Sequence, residues 1–551
     1  MTTNRISLFF IGFLLADMIL GAGSADGGAP LDRTARVFEV VEWSFENPGW
    51  SGNPFDLPAT ATCTHDATDR VITTPMFYDG GDTWRFRFTP TRPGRWTFTT
   101  SSPHAALAGH RGTVEVAADP EARGFLVAHG TKFARQVGDE RTLRAAIFNV
   151  YTHHCLIGFR RDYPYPYNMY LADWERHPDG ASGEARDRAR EAREHGMGLL
   201  HLQCVANEAF APGVRSHRQH KNVNPEISTF RILDQILRTT HEEGIGVHFW
   251  WWGDEDRRWT PVGIRGGING PADRRLQRYI AARLAPLPGW TMSYGCDLHE
   301  ANWTGGKPEL VRQWHEYLNA NWGWEHLLIA REQEHRARGA DYWFRTPDEL
   351  PVYSVDDEPR TGWEFYRVAR ARLAGEPFVP RDAPDARLRP RPVLLEMRFL
   401  HTRHDVWDGP TTRRAMWQFI MAGGAGAVWG RKWGADSLPY DARTVEQLRC
   451  FARFWRDRWQ LDLEPAPDVV RGEDTVALAD GDQRLVVVYS QDADSIALDL
   501  RNAKRPLAAV TVDTTAAYQE IELGTFQAGY HTIALPHRTD WALALMAEGR
   551  E

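Results

Sequence analysis

The chain has 551 residues, and its 65 Lys and Arg against 73 Asp and Glu give a formal charge of −8. That balance argues against a nucleic-acid backbone or an anionic membrane as the main partner. A 42% hydrophobic share with 25% charged residues excludes wholesale disorder. At roughly 150 residues per domain the length predicts three or four units. Aromatics are abundant, at 23 Trp, 16 Tyr and 25 Phe. An indole face suits stacking on a sugar ring, although large β-rich cores use Trp as well.

In chain order, Arg5 precedes an apolar run over residues 6–20, then the small residues Gly21, Ala22, Gly23, Ser24 and Ala25. This layout predicts a signal peptide over residues 1–25, with an uncleaved anchor as the other reading. The run is short for a membrane span, and Asp17 interrupts it. A secreted or periplasmic chain with no membrane span after cleavage is expected. Five scattered cysteines, Cys63, Cys155, Cys204, Cys296 and Cys450, leave room for one long-range bridge and argue against a zinc site.

Residues 36–120 alternate with a period of two, as in Trp84-Arg85-Phe86-Arg87-Phe88, between turns such as Asp79-Gly80-Gly81-Asp82. That pattern predicts an antiparallel β-sandwich of the immunoglobulin-like kind. Over 124–460 the texture changes. Apolar runs at 144–151, 196–208, 244–255, 289–300, 326–333, 350–360, 391–400 and 424–433 are separated by helical stretches such as 185–195 and 229–243. Eight strand–helix alternations predict a central (β/α)8 TIM barrel. The rival, an open doubly wound sheet, calls for a glycine-rich phosphate turn after its first strand, and none follows residue 151. Residues 465–551 return to β texture and predict a C-terminal β-sandwich.

In a barrel the site lies past the carboxyl ends of the strands. Glycoside hydrolysis needs two carboxyl groups flanking the anomeric carbon, one protonating the leaving oxygen and one attacking or stabilising the oxocarbenium-like centre. Glu396, a lone acid after Val393-Leu394-Leu395, ends the seventh run, with Arg398 two residues on to orient it. A strand-end ion pair is the alternative reading. Asp297 or Glu300 ends the fourth run, with Asp297 nearer the strand and 99 residues before Glu396. The other acid of that pair would cap a helix or bind substrate.

Further candidates for substrate contact are Glu208, then Trp251 and Trp252 with Asp254, Glu255 and Arg257, then Asp357 and Glu358, then Trp429. The charged ones have a plain alternative as a solvated loop or helix caps, and Trp429 as ordinary packing. His153 and His154 suit hydrogen bonds to sugar hydroxyls better than metal ligation, since no third ligand at zinc spacing accompanies them. No cofactor and no metal are expected. The stripe Trp417, Phe419 and Ile420 reads as core.

Several local motifs carry a family resemblance. They are Val41-Glu42-Trp43-Ser44-Phe45 and Gly94-Arg95-Trp96-Thr97-Phe98, then Trp252-Gly253-Asp254-Glu255-Asp256-Arg257, residues 290–300, Glu396, and residues 422–430. With the domain order, the chain resembles bacterial apiosidase-like glycoside hydrolases. These join an N-terminal immunoglobulin-like domain, a hydrolase barrel and a small C-terminal β domain often labelled collagen-binding. The resemblance implies an aspartate acid/base after strand four and a glutamate nucleophile after strand seven, which would be Asp297 and Glu396. This chain has Gly-Cys-Asp-Leu-His-Glu at residues 295–300 where many related barrels have Gly-x-Glu. No feature suited to gripping a collagen triple helix is visible.

The sequence therefore points to a secreted glycoside hydrolase acting on a polysaccharide or its side chains. Two other classes remain: a polysaccharide lyase using His153, His154 and Arg257, and a non-catalytic carbohydrate-binding or adhesion protein on a barrel scaffold. A carbohydrate is the expected partner, with no nucleic acid.

Overall fold

The computed structural model describes residues 31–151, 180–202, 224–252, 266–295, 308–333, 352–356, 362–374, 392–397, 409–424, 426–429, 442–472 and 474–548. In the first region, β1 (Arg33–Arg36), β2 (Val41–Glu46), β3 (Thr60–His65), β4 (Val71–Pro75) and β5 (Phe77–Tyr78) are followed by β6 (Thr83–Phe88), β7 (Gly94–Ser101) and β8 (Arg111–Ala117). They form two sheets, ordered β1-β8-β7-β3-β4 and β2-β6-β5. Alternation turns Trp43, Phe86, Trp96 and Phe98 into the space between them. There Trp43 lies 4.6 Å from Phe86 and 4.8 Å from Phe98 of the opposite sheet. One pairing departs from the antiparallel expectation: β1 runs parallel to β8. Asp32 helps fix it, its Oδ1 accepting the backbone N–H and the hydroxyl of Thr113, each at 2.9 Å.

The next segment was expected to begin the barrel and does not. Strands β9 (Arg123–His129), β10 (Lys132–Val137) and β11 (Asp139–Ala145) make a separate antiparallel sheet. It packs on the N-terminal ends of the barrel strands, with Phe133 4.6 Å from Phe148. A Cβ on Gly246 would stand 3.2 Å from Leu126 Cδ1, so the sheet and the barrel floor meet without room for a side chain there.

The barrel strands are β12 (Val150–Tyr151), β13 (Leu199–Leu202), β14 (Gly246–Trp252), β15 (Trp290–Gly295), β16 (Leu328–Gln333), β17 (Val352–Asp356), β18 (Val393–Met397) and β19 (Ala427–Trp429). They close in chain order, every neighbouring pair parallel, with β12 hydrogen-bonded to both β13 and β19. Helices lie between them: α1 (Gly180–Glu194), α2 (Ile227–Glu242), α3 (Pro271–Arg283) and α4 (Pro308–Asn321), then α5 (Glu364–Leu373) and α6 (Gly409–Met421), with α7 (Ala442–Trp455) after the last strand. The run between β16 and β17 lies outside the described residues. Parallel strands covered on both faces lose the alternating pattern, which is why Leu199-Leu200-His201-Leu202 is buried at every position.

The C-terminal region was expected to be a two-sheet sandwich. Its strands β20 (Glu464–Pro465), β21 (Val470–Arg471), β22 (Thr475–Ala479), β23 (Leu485–Asp499), β24 (Leu507–Asp513), β25 (Ile521–Phe526) and β26 (Tyr530–Ala547) are instead one hydrogen-bonded sheet. β23 and β26 run its full length, with register shifts between Ser490 and Ser495, where bulges let long strands bend. In β23 the residues divide by parity. Val487 and Tyr489 join the core shared with the barrel, and Val486 and Val488 join a core of the sheet's own. Trp417 of α6 stacks on Tyr489 at 5.4 Å, so the expected helical core stripe seals this contact.

Buried ion pairs hold both flanking regions to the barrel. Asp234 of α2 accepts Nη1 and Nη2 of Arg87 from β6 at 2.8 and 2.7 Å. It also accepts Nε and Nη2 of Arg283 from α3 at 3.0 and 2.8 Å. Burial works to raise the Asp234 pKa, yet the two guanidiniums hold it below its ordinary 3.8. At the other end, Asp540 of β26 accepts Arg413 Nη2 at 2.6 Å and Arg414 Nε at 2.7 Å, both from α6.

Asp234→Ala leaves two buried guanidiniums without their anion. It should lower unfolding stability by about 3–5 kcal/mol, read as a fall in the urea midpoint. The sign with pH follows from the depressed carboxyl. The stabilisation is present above the unfolded pKa near 3.8 and is lost as pH falls through the lower folded value. An unchanged midpoint would mean that the two regions dock without this pair.

Candidate active site

A parallel barrel presents loops at its C-terminal rim, and here the strands end at Tyr151, Leu202, Trp252, Gly295, Gln333, Asp356, Met397 and Trp429. Register places one row obliquely across the barrel. It passes from Gln333 to Asp356, Glu396, Val428, Val150, Leu199 and Gly246. The row begins on the last residue of β16 and ends on the first of β14, as strand tilt requires. Its rim end therefore carries Gln333, Asp356 and Glu396 on three consecutive strands.

Glu396 thus stands one residue from the end of the seventh strand, the position expected of it. Its direct partner on the sixth strand is Asp356. The sequence candidates there were its neighbours Asp357 and Glu358, not Asp356. Counting by two from Val352 and Ser354 would have singled out Asp356. Neighbouring strands lie about 4.8 Å apart, so two carboxylate-bearing residues share one short stretch of rim.

Asp297 follows the end of the fourth strand, Gly295, by two residues, which puts its strand and that of Glu396 three apart in the ring of eight. The expected residues His153, His154, Glu208, Asp254, Glu255, Arg257, Asp297, Glu300, Asp357, Glu358 and Arg398 all lie outside the described residues. Trp252 ends β14 opposite Gly295, and Trp429 ends β19 opposite both Met397 and Tyr151.

Trp251 is corrected. It was expected to face substrate, but only 2% of it is exposed, and its ring lies 6.3 Å from Phe230 of α2 and 6.3 Å from Phe249. Phe249 also packs on Trp290, at 5.8 Å. Phe249 and Trp251 are two residues apart and so on one face of β14, the face covered by α2. Trp251 is packing between strand and helix, not a sugar platform.

The opposite face of β14 then points into the barrel, and it carries His248. Register partners His201, His248 and Thr291 form a buried polar row on strands two to four. The imidazoles of His201 and His248 lie 5.6 Å apart at 27°, and His248 Nδ1 is 2.7 Å from Thr291 Oγ1. Burial pushes the His248 pKa down to about 3, so the ring is neutral near neutral pH. The sequence reading missed this row, because a histidine within an apolar run has no local mark of its side. Burial keeps the His248 ring uncharged, and the row lies inside the barrel on strands two to four.

Comparisons with known proteins agree with the architecture. Residues 34–103 match a domain of unknown function, DUF5060. No curated protein matches the chain. Among solved structures, the chain is similar to a protein of Bacteroides vulgatus ATCC 8482 classed provisionally as a glycoside hydrolase. That match has a TM-score of 0.64 and 16% identity over 94% of this chain and 100% of the other. A second glycoside hydrolase matches with a TM-score of 0.56 and 16% identity, covering 78% of this chain and 98% of its own. A glycoside hydrolase of family 5, also from Bacteroides vulgatus ATCC 8482, matches with a TM-score of 0.55 and 14% identity. It covers 78% of this chain and 95% of the other. These likenesses show a shared fold, and the proteins that share it are glycoside hydrolases.

The neutral barrel histidine has a measurable consequence. An unfolded chain takes up a proton at His248 below its ordinary pKa of 6.5, whereas the folded chain does not until about 3. Stability is therefore full above the unfolded value and declines as pH falls between the two. The decline is about 1.4 kcal/mol per pH unit from this one residue. His248→Gln, followed by urea unfolding from pH 7.5 to 5, should flatten the slope by that amount. An unaltered slope would show that His248 is protonated inside the barrel.

Proposed function

We propose that the chain is a secreted glycoside hydrolase of the apiosidase-like kind. Its barrel would be the (β/α)8 catalytic domain, residues 36–120 an immunoglobulin-like module, and residues 1–25 a cleaved signal peptide. The observation that carries the reading is the rim. Glu396 sits at the mouth end of the seventh strand of a closed parallel barrel, and Asp297 follows the fourth. Strand ends from opposite parts of such a ring converge on one opening, and glycosidic cleavage requires two acids on either side of one bond. The three glycoside hydrolase structures of similar fold support the class.

In this reading Glu396 is the nucleophile, and Asp297 protonates the leaving oxygen, with Glu300 as the alternative acid. A carboxyl near 5–5.5 Å from its partner gives retention and about 6.5–9.5 Å gives inversion. A retaining reaction proceeds through a glycosyl ester on Glu396. Water, deprotonated by the same residue that first acted as acid, then releases the sugar. Trp252, on the same parity as His248, is proposed as a stacking face at the opening, whereas Trp429 falls on the other parity, with Met397 and Tyr151. Glu208, Asp254, Glu255, Arg257, Asp357, Glu358, His153 and His154 would bind hydroxyls, and Arg398 would hold Glu396 ionised.

The test is a panel of aryl glycosides and plant, algal and microbial polysaccharides, with reducing ends measured against time. Glu396→Gln and Asp297→Asn should each lower kcat by about 10²–10⁴-fold. Glu300→Gln should stay within about tenfold if Asp297 is the acid. Azide should restore turnover of an activated glycoside in a small-residue variant of Glu396. An ultraviolet-absorbing unsaturated product would establish a lyase instead. Glycan affinity without turnover in the parent would establish a binding protein.

A further inference from the structure

The base of the barrel, remote from the rim, carries a cationic group of unusual isolation. Arg135 lies in the middle of β10, in register with Leu126 on β9 and Arg144 on β11. Leu126 meets the barrel floor at Gly246, so this face of the small sheet is the one turned toward the barrel. Arg135 Nη1 is sealed from solvent and has no hydrogen-bond partner. Nor does any described carboxylate come within ion-pair distance of the guanidinium. Burial and the nearby Arg123 guanidinium lower its pKa to about 10, which still leaves it a cation at neutral pH.

Two further groups stand beside it. Arg123 donates from Nη2 to the backbone oxygen of Glu242 at 3.1 Å, and its Nη1 lies against Gly244. A Cβ at Gly244 would come 2.2 Å from that nitrogen, and its φ of +85° also favours glycine. His241, with Nδ1 sealed and unbonded, is kept neutral by burial and by Arg135 and Arg123. A cleft of about 560 Å³ opens from solvent onto Arg123 and His241.

Glu39, Asp119, Glu121 and Glu242 line that cleft with Arg36 and Arg123, and none of these four is ion-paired with Arg123 or Arg135. Asp119 is 3.5 Å from Arg36 and also accepts the backbone N–H of Glu121, and Glu39 accepts the backbone N–H of Arg36 at 2.8 Å. Glu242 meets Arg123 through its main-chain oxygen, not its carboxylate. Two guanidiniums in mutual repulsion, one with a sealed and unbonded donor and neither ion-paired with a described carboxylate, can take up an anion. A guanidinium fork matches the paired oxygens of a tetrahedral oxyanion.

We infer that Arg135 and Arg123 form a binding site for a small oxyanion, phosphate or sulfate, between the β9–β11 sheet and the base of the barrel. Binding there joins the small sheet to the loop between α2 and β14, which carries Gly244. The ligand acts on the folded state alone, so it raises the melting temperature as its concentration passes the Kd.

Thermal unfolding of the full chain is measured with potassium phosphate, with potassium sulfate, and with potassium chloride at equal ionic strength. The expected result is a rise of about 2 °C or more with either oxyanion beyond the chloride curve. Arg135→Met should abolish that difference, while Arg36→Gln, at the outer edge of the cleft, should retain it. Where Arg135→Met fails to fold, crystals of the parent soaked in selenate provide the second reading. Anomalous density between Arg123 and Arg135 is expected. Superimposable oxyanion and chloride curves, or selenate density elsewhere only, would overturn the inference. An Arg135→Met protein that keeps the full oxyanion response would also overturn it.

Discussion

A strand covered on both faces must divide its side chains by parity, and this division governs what the barrel can do. In β14 the helix side receives Phe249 and Trp251, so His248 falls to the interior. Parallel register then carries the assignment around the ring, from His248 to His201 on one side and Thr291 on the other. The same arithmetic puts Asp356 and Glu396 in one row. A slip of one residue in any strand would exchange the two sets and destroy the rim.

The barrel is tied to its neighbours by the same device at both ends. An aspartate is sunk between two arginines: Asp234 between Arg87 and Arg283, and Asp540 between Arg413 and Arg414. Planar guanidiniums fix direction as well as distance, which apolar packing alone does not. Buried pairs of this kind contribute little net stability over an apolar contact, but breaking one is costly. Their value here is orientation. Phe77 adds to the first junction, its ring 4.9 Å from the guanidinium carbons of both Arg87 and Arg283.

Much of this was legible in the chain, because apolar runs broken by helical stretches are strong signals. Each of the eight runs read from sequence contains one barrel strand, and Glu396 stands where its run predicted. The failures are physical. Residues 123–145 alternate like any strands, and nothing local says whether they join the barrel or close its base. Trp251 and Trp252 look alike until the strand end is known, and one position separates a core residue from a rim residue. In β23, Asp492, Asp494 and Ser495 break the apolar pattern, yet bulges carry the strand through from Leu485 to Asp499. Arg87 and Asp234 are 147 positions apart, a separation that leaves no periodic trace.

The two faces of the barrel differ in what the chain has built on them. At the base, the barrel's own chain is packed so tightly that Gly198 and Gly246 have no room for a Cβ, and Leu126 of β9 lies against the second. A Cβ on the first would lie 2.5 Å from Ile147 O and one on the second 2.8 Å from Gly289 O. The opposite rim, past the carboxyl ends of the strands, is where the loops leave the barrel. Glu396 sits at that rim, while these glycines belong to the tightly packed end. The division explains why side-chain chemistry collects at one end of the strands and close backbone contact at the other.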